Sequence, residues 1–214
     1  MKIFADNDII IKLAALDLLE PFQTLFLNDN AVFACLPSLA YQLSKRLPEA
    51  NAEARAINFV SSCRKLNQTY LAELGIDFDC QDLLATCPGV DSGEAQLFLA
   101  ALASPGAVVL TGDKRCLSAL YRSSATIPLV PKLQGRVLIL EQVILHMIMT
   151  VGFDYVKRRV MNGVYCDTAI RAAFGSGLQA KESNVILTLR SYVGEIDRCC
   201  PCLLASVDVL IGLL

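Results

Sequence analysis

The chain has 214 residues, with 19 Lys+Arg against 21 Asp+Glu and a formal net charge of −2. A hydrophobic fraction of 54% and a charged fraction of 19% exclude a largely disordered chain. Near-neutrality excludes a uniformly basic nucleic-acid wrapper and leaves room only for a local basic groove.

Lys2 to Ala5 reads as a short buried strand that stops at Asp6-Asn7-Asp8. Ile10, Leu13, Ala14 and Leu18 then recur at helical spacing, with Glu20-Pro21 as the expected break. Ala31 to Leu36 reads as a second strand, and Pro37-Ser38 opens a helix through Leu39, Leu43 and Leu47 that Pro48 ends. Asn51 to Leu74 reads as one long helix stopped by Gly75, followed by a short third strand over Ile76 to Phe78. Asp91-Ser92-Gly93-Glu94 supplies capping groups for a helix over Ala95 to Ala103. Ala107 to Leu110 is a buried strand stopping at Thr111-Gly112-Asp113, and a helix follows over Lys114 to Tyr121. Arg136 to Leu140 is a last β-rich run, with a helix from about Glu141. Beyond Phe153 the strand signals vanish, and 153–161, 166–174 and 184–199 read as helices.

Apolar strands alternating with helices predict an α/β fold, a three-layer α/β/α sandwich around a mostly parallel sheet. We expect this domain over 1–149 and a helical extension over 150–214.

The mean hydropathy of +0.48 is high. Even so, the most apolar stretch, Val137 to Val151, is interrupted by Glu141, Gln142 and His146 and is shorter than the roughly 20 residues of a spanning helix. Asp6 comes too early for a secretory signal, so a cytoplasmic chain with no membrane segment is expected. The apolar excess suits a protein partner or a homo-oligomer. Nine cysteines, most in apolar settings, read as buried thiols. Cys199-Cys200-Pro201-Cys202 lacks a second pair at zinc-ligand spacing, so it too reads as ordinary thiols. His146, Tyr41 and Tyr121 lie on helices and are expected in the core.

The acids carry the functional signal. In open parallel sheets, ligands bind beyond the carboxyl ends of the strands. Asp6 and Asp8 follow the first strand, Asp113 follows the Ala107–Leu110 strand, and Asp91 and Glu94 open the helix between them. Gathered carboxylates repel one another and call for a compensating cation, and hard oxygen ligands suit Mg²⁺ or Mn²⁺.

Asp6-Asn7-Asp8-Ile9-Ile10, Gly93-Glu94-Ala95 and Leu110-Thr111-Gly112-Asp113-Lys114 resemble, in order, the main motifs of PIN-domain nucleases, over roughly residues 1–148. That resemblance implies a Mg²⁺- or Mn²⁺-dependent endoribonuclease, with RNA, or else single-stranded DNA, as substrate and an antitoxin-like protein as partner. It implies catalytic roles for Asp6, Glu94 and Asp113, which with Asp8 and Asp91 would hold the metal. Where the family often has a Glu, in the helix after the second strand, this chain has Gln42. A neutral Gln42 offers an oxygen without charge and implies that Asp8 or Asp91 supplies the difference. Lys114 and Arg115, directly after Asp113, are candidate phosphate contacts alongside Gln42, whereas Lys45-Arg46 and Lys157-Arg158-Arg159 are less closely tied to the acids. Two other readings compete. Asp6-x-Asp8 and Thr111 resemble the opening motifs of haloacid-dehalogenase-type phosphatases, but the next acid after Asp113 is Glu141, so the later acidic pair is missing. A PIN-like fold weakened at position 42 would serve as a binding or scaffold module.

Overall fold

The computed structural model describes residues 2–26, 31–47 and 50–206. Its centre is a five-stranded, all-parallel sheet built from β1 (Lys2–Ala5), β2 (Val32–Cys35), β3 (Arg64–Lys65), β4 (Val108–Leu110) and β5 (Val137–Leu138), in the order β3-β2-β1-β4-β5. The register sets Ile3 beside Phe33 and Val108, and Ala5 beside Cys35 and Leu110. β-Strand alternation sorts these side chains onto two faces. Ile3, Ala5, Phe33, Cys35, Val108 and Leu110 enter one core, and Phe4, Ala34, Val109 and Val137 the other. A sheet buried on both faces is why its strands read as continuous apolar runs.

The first face is covered by α1 (Asn7–Ala15), α2 (Leu19–Phe26), α3 (Leu39–Arg46) and α4 (Ala50–Ser62), and by α10 (Leu140–Val151), α11 (Phe153–Val160) and α12 (Thr168–Phe174). Phe22, Phe26, Phe33 and Phe59 pack there as a ring cluster, with Phe22 and Phe26 5.0 Å apart and Phe33 and Phe59 5.1 Å apart. The second face is covered by α5 (Gln68–Leu74), α6 (Phe78–Ala85), α7 (Ser92–Leu102), α8 (Lys114–Arg122) and α9 (Val130–Leu133). The last helix, α13 (Glu182–Cys199), reaches both cores, through Val185 and Leu189 and then through Ile196. Beyond it Leu204 bridges to Val137, and the Gln142 side-chain amide donates to the Ala205 carbonyl at 2.7 Å. The C-terminal helices thus share their apolar interior with β1 and α1. Among the described residues no helix is long and apolar enough to cross a membrane.

Four local expectations change. Pro21 does not end a helix. The first helical run breaks earlier, at Asp17, whose φ is +57°, and Pro21 sits in the first turn of α2, where no helical acceptor awaits its missing N–H. The long helix expected over Asn51 to Leu74 is two helices flanking β3, because the Cys35 carbonyl accepts the Leu66 amide at 2.8 Å and holds that segment extended at the sheet edge. Ile76 to Phe78 is not a strand: Asp77 caps α6 by accepting the Asp79 amide. The last strand is shorter than 136–140, since the Gln142 side chain accepts the Ile139 amide and starts α10 at Leu140. Gly75, in contrast, stops α5 in the left-handed conformation as expected, at φ +67°. Pro48 lies outside the described residues. All nine cysteines are unbridged thiols. His146 is buried against Phe26. Tyr121 packs against the second core, whereas Tyr41 is exposed, with the Lys45 ammonium over its ring.

Candidate functional site

The chain moves outward from β1 to β2 and β3, then returns to the other side of β1 to lay down β4. The carboxyl ends of β1 and β4 are therefore the topological switch point, where open α/β sheets form a crevice. The Asp6 amide donates to the Leu110 carbonyl at 2.8 Å and closes the sheet just before the two chains diverge. A cavity of about 470 Å³ opens at this point, and Asp6, Asp8, Asp91, Glu94 and Asp113 all line it, together with Asn7, Ser38 and Gln42. Carboxylates from three distant parts of the sequence thus meet in one hollow.

Local chemistry sets each of them. Asp6 is the N-cap position of α1 but makes no side-chain cap bond. Asp91 and Glu94 form a reciprocal capping box at the start of α7: Asp91 Oδ1 accepts the Glu94 amide and Glu94 Oε2 accepts the Asp91 amide, both at 2.8 Å. Asp113 Oδ1 accepts the Arg115 and Cys116 amides at 2.8 and 3.0 Å and caps α8. Two glycines bring these starts together. A Cβ on Gly93 would stand 2.8 Å from Leu36 Cδ1, and one on Gly112 would press on Ile9 beside Lys12 and Asp8.

The electrostatics follow from the crowding. Burial, then the negative charge of Asp8, with smaller contributions from Glu94 and Asp91, pushes the Asp6 carboxyl up to about 6. Burial likewise holds Glu94 above the usual carboxylate range. Asp8 behaves oppositely. Burial alone would raise it, but Lys12 at 2.6 Å on Oδ2 and Arg46 at 2.6 Å on Oδ1 bring it below the usual range. Lys12 also bonds Asp167 at 2.9 Å and so ties the start of α12 to the site. Asn7, 2% exposed, donates to Ser38 Oγ at 2.9 Å, while its Oδ1 is buried without a partner.

A second hollow of about 470 Å³ shares Asp6, Asp8 and Asp113 with the first and adds Lys12, Lys114, Arg115, Thr168 and Tyr192. Arg115 is fully extended into solvent, 3.6 Å from Asp113 Oδ2. Lys114 is committed to the buried Glu141 at 2.6 Å and lies over the Tyr192 ring. Gln42 is half-buried in the acid cavity. Of the other basic runs, Arg46 reaches the site through Asp8, and Arg159 instead pairs with Asp17 and Glu20 at the α1–α2 junction. Lys12, Arg46, Asn7 and Asp167 also border or brace the site, beyond the acids, Gln42, Lys114 and Arg115 that the sequence motifs name. The Asp8-to-Lys12 spacing of one helical turn is the signal that names Lys12, and no local signal names Asp167.

The lining offers hard oxygen donors of the kind a divalent cation takes: five carboxylates border one cavity, one of them raised by burial and then by its neighbours' charge, and a buried Asn7 oxygen lacks a donor. Among the described residues, no three His, Cys, Asp or Glu side chains are drawn close enough to share an ion. Asp91, Glu94 and Asp113 turn an oxygen each toward helix amides, and Asp8 turns both of its own toward cations. Compared with known protein families, with curated proteins and with solved structures, the chain matches none.

Proposed function

We propose that the chain is a PIN-like, Mg²⁺- or Mn²⁺-dependent nuclease that cleaves phosphodiester bonds of RNA, with single-stranded DNA as the alternative substrate. The observation that carries this reading is the meeting of Asp6, Glu94 and Asp113, with Asp8 and Asp91, in one cavity at the sheet's switch point. To hold the cation, Asp6, Glu94 and Asp113 would have to draw closer together than they stand in this structure, with the neutral oxygen of Gln42 at the rim. Bound there, the cation supplies positive charge against the phosphate and makes water a better nucleophile. Lys12, which already faces the shared wall of the two hollows, neutralises Asp8 and limits repulsion of the approaching anion. Arg115, exposed and, among the described residues, paired only with Asp113 at 3.6 Å, is the chain's own phosphate contact.

The test is cleavage of mixed RNA and single-stranded DNA in Mn²⁺ or Mg²⁺. Cleavage is expected from the wild type, stopped by chelation, and reduced about a hundredfold or more in Asp6→Asn and Asp113→Asn. Asn at 113 keeps an oxygen for the Arg115 and Cys116 amides, so the α8 cap survives the change. Undiminished cleavage in both variants rejects the assignment.

A binding module is the second reading, favoured by the neutral Gln42 and by Asp8 being doubly paired with Lys12 and Arg46. The two separate on metal affinity. A working centre gains about 2.7 kcal/mol of stability from Mn²⁺ at a hundred times Kd, read as a rise in melting temperature.

A further inference from the structure

We propose that the cavity between α5, α6 and α7 is a nucleobase pocket that selects the base bound beside the cut; this rests on the acid cavity being the site of phosphodiester cleavage. The pocket is about 290 Å³, with Ile76, Ala85, Val90 and Ala95 as its accessible apolar lining over the buried Leu71, Leu84 and Leu99, and Gln68, Gln81 and Gln96 among its lining residues. Among the described residues, the side-chain amides of these three make no hydrogen bond. Each offers both a donor and an acceptor. An apolar slot edged with amides matches a flat base, whose faces are apolar and whose edge carries donors and acceptors. The lining contains no Lys or Arg, so a phosphate finds no counter-charge there.

The pocket adjoins the acid site through shared lining residues. Its residues Gln68, Ser92 and Gln96 also line an intermediate hollow of about 350 Å³. That hollow in turn shares Leu36, Ser38, Ser92 and Gly93 with the acid cavity. Asp91 lines the acid cavity and the pocket together. A single strand whose phosphate lies among the acids can therefore run past the start of α7 and place a neighbouring base against Ile76, Val90 and Ala95.

The experiment measures binding of end-labelled oligo-A, oligo-C, oligo-G and oligo-U to the full chain by fluorescence anisotropy, without metal. One base is expected to bind at least about tenfold tighter than the others, the scale of one well-matched hydrogen-bonded pairing to a base edge. Gln96→Ala should cut that preference severalfold. Ala85→Phe, which fills the slot from an exposed position, should bring all four within about twofold. Equal affinities in the wild type, no binding at all, or a preference that survives both variants overturns the pocket. Mn²⁺-dependent cleavage run in parallel separates this outcome from the nuclease reading. Cleavage without base preference removes the pocket and leaves the nuclease standing. Selective binding without cleavage does the reverse.

Discussion

Asp6 is the residue on which stability and the proposed function pull apart. In the metal-free fold its carboxyl titrates near 6, against 3.8 for an unperturbed Asp, because it is buried beside Asp8, Glu94 and Asp91. Between those values the folded state holds the extra proton, so this group's contribution to stability declines as pH rises through 4 to 6. Above 6 it costs about 3 kcal/mol. Asp6→Asn removes that cost. The variant is expected to be about 1–3 kcal/mol more stable than wild type in urea unfolding at pH 7.5, the gap closing toward pH 4. Equal stability at pH 7.5 would show that the acids do not strain one another. Lys114 runs the other way. Its ammonium lies 2.6 Å from Glu141, which is 3% exposed. Lys114→Ala strands a buried carboxylate and is expected to cost about 2 kcal/mol or more, with much of it restored in Lys114→Met/Glu141→Gln as read by thermal melting. Any activity lost in Lys114→Ala therefore needs that stability control before it is assigned to phosphate binding. The residue types at 6, 94 and 113 were legible in the sequence. The pairings of Asp8 with Arg46 and of Lys12 with Asp167 were not, because they join residues 38 and 155 positions apart.

At the scale of elements, the helix starts were the most legible features and the edge strand the least. The α7 capping box and the Asp113 cap use atoms within three residues of one another, so local sequence is sufficient to place them. β3 is a two-residue polar strand, Arg64-Lys65, and exists only because Cys35 and Ala34 lie beside it. Its extended form follows from the partner and not from its own side chains. The same dependence governs the turn after α11. A Cβ on Gly163 would collide with the Ala15 carbonyl and the Leu16 amide, so the chain there passes directly against the end of α1. Gly163→Ala must push these backbones apart. We expect a loss of about 2 kcal/mol or more in chemical denaturation, and an unchanged midpoint would mean the two segments part easily.

For the whole molecule, the helices after Gly152 complete the core. Val156, Val160, Ile170, Phe174, Val185 and Leu189 are buried in the cluster that also holds Ile3, Ile9 and Phe33. A chain ended at Gly152 would expose that face of α1 and α10 to water and forfeit several large apolar side chains, each contributing about 1.5–3 kcal/mol. It is expected to be insoluble or to lack cooperative unfolding by circular dichroism, and a cooperative, monomeric 1–152 fragment would show that the C-terminal helices are dispensable. The sequence by itself determined four of the five strands, the helices beside them, the parallel sheet and the acids at the strand ends, because periodicity and capping are written in neighbouring residues. Only the tertiary structure decided that those acids share a cavity, that Lys12 and Arg46 neutralise one of them, and that the C-terminal helices close the core. Those outcomes depend on which distant segments pack together, and packing is a property of the whole chain.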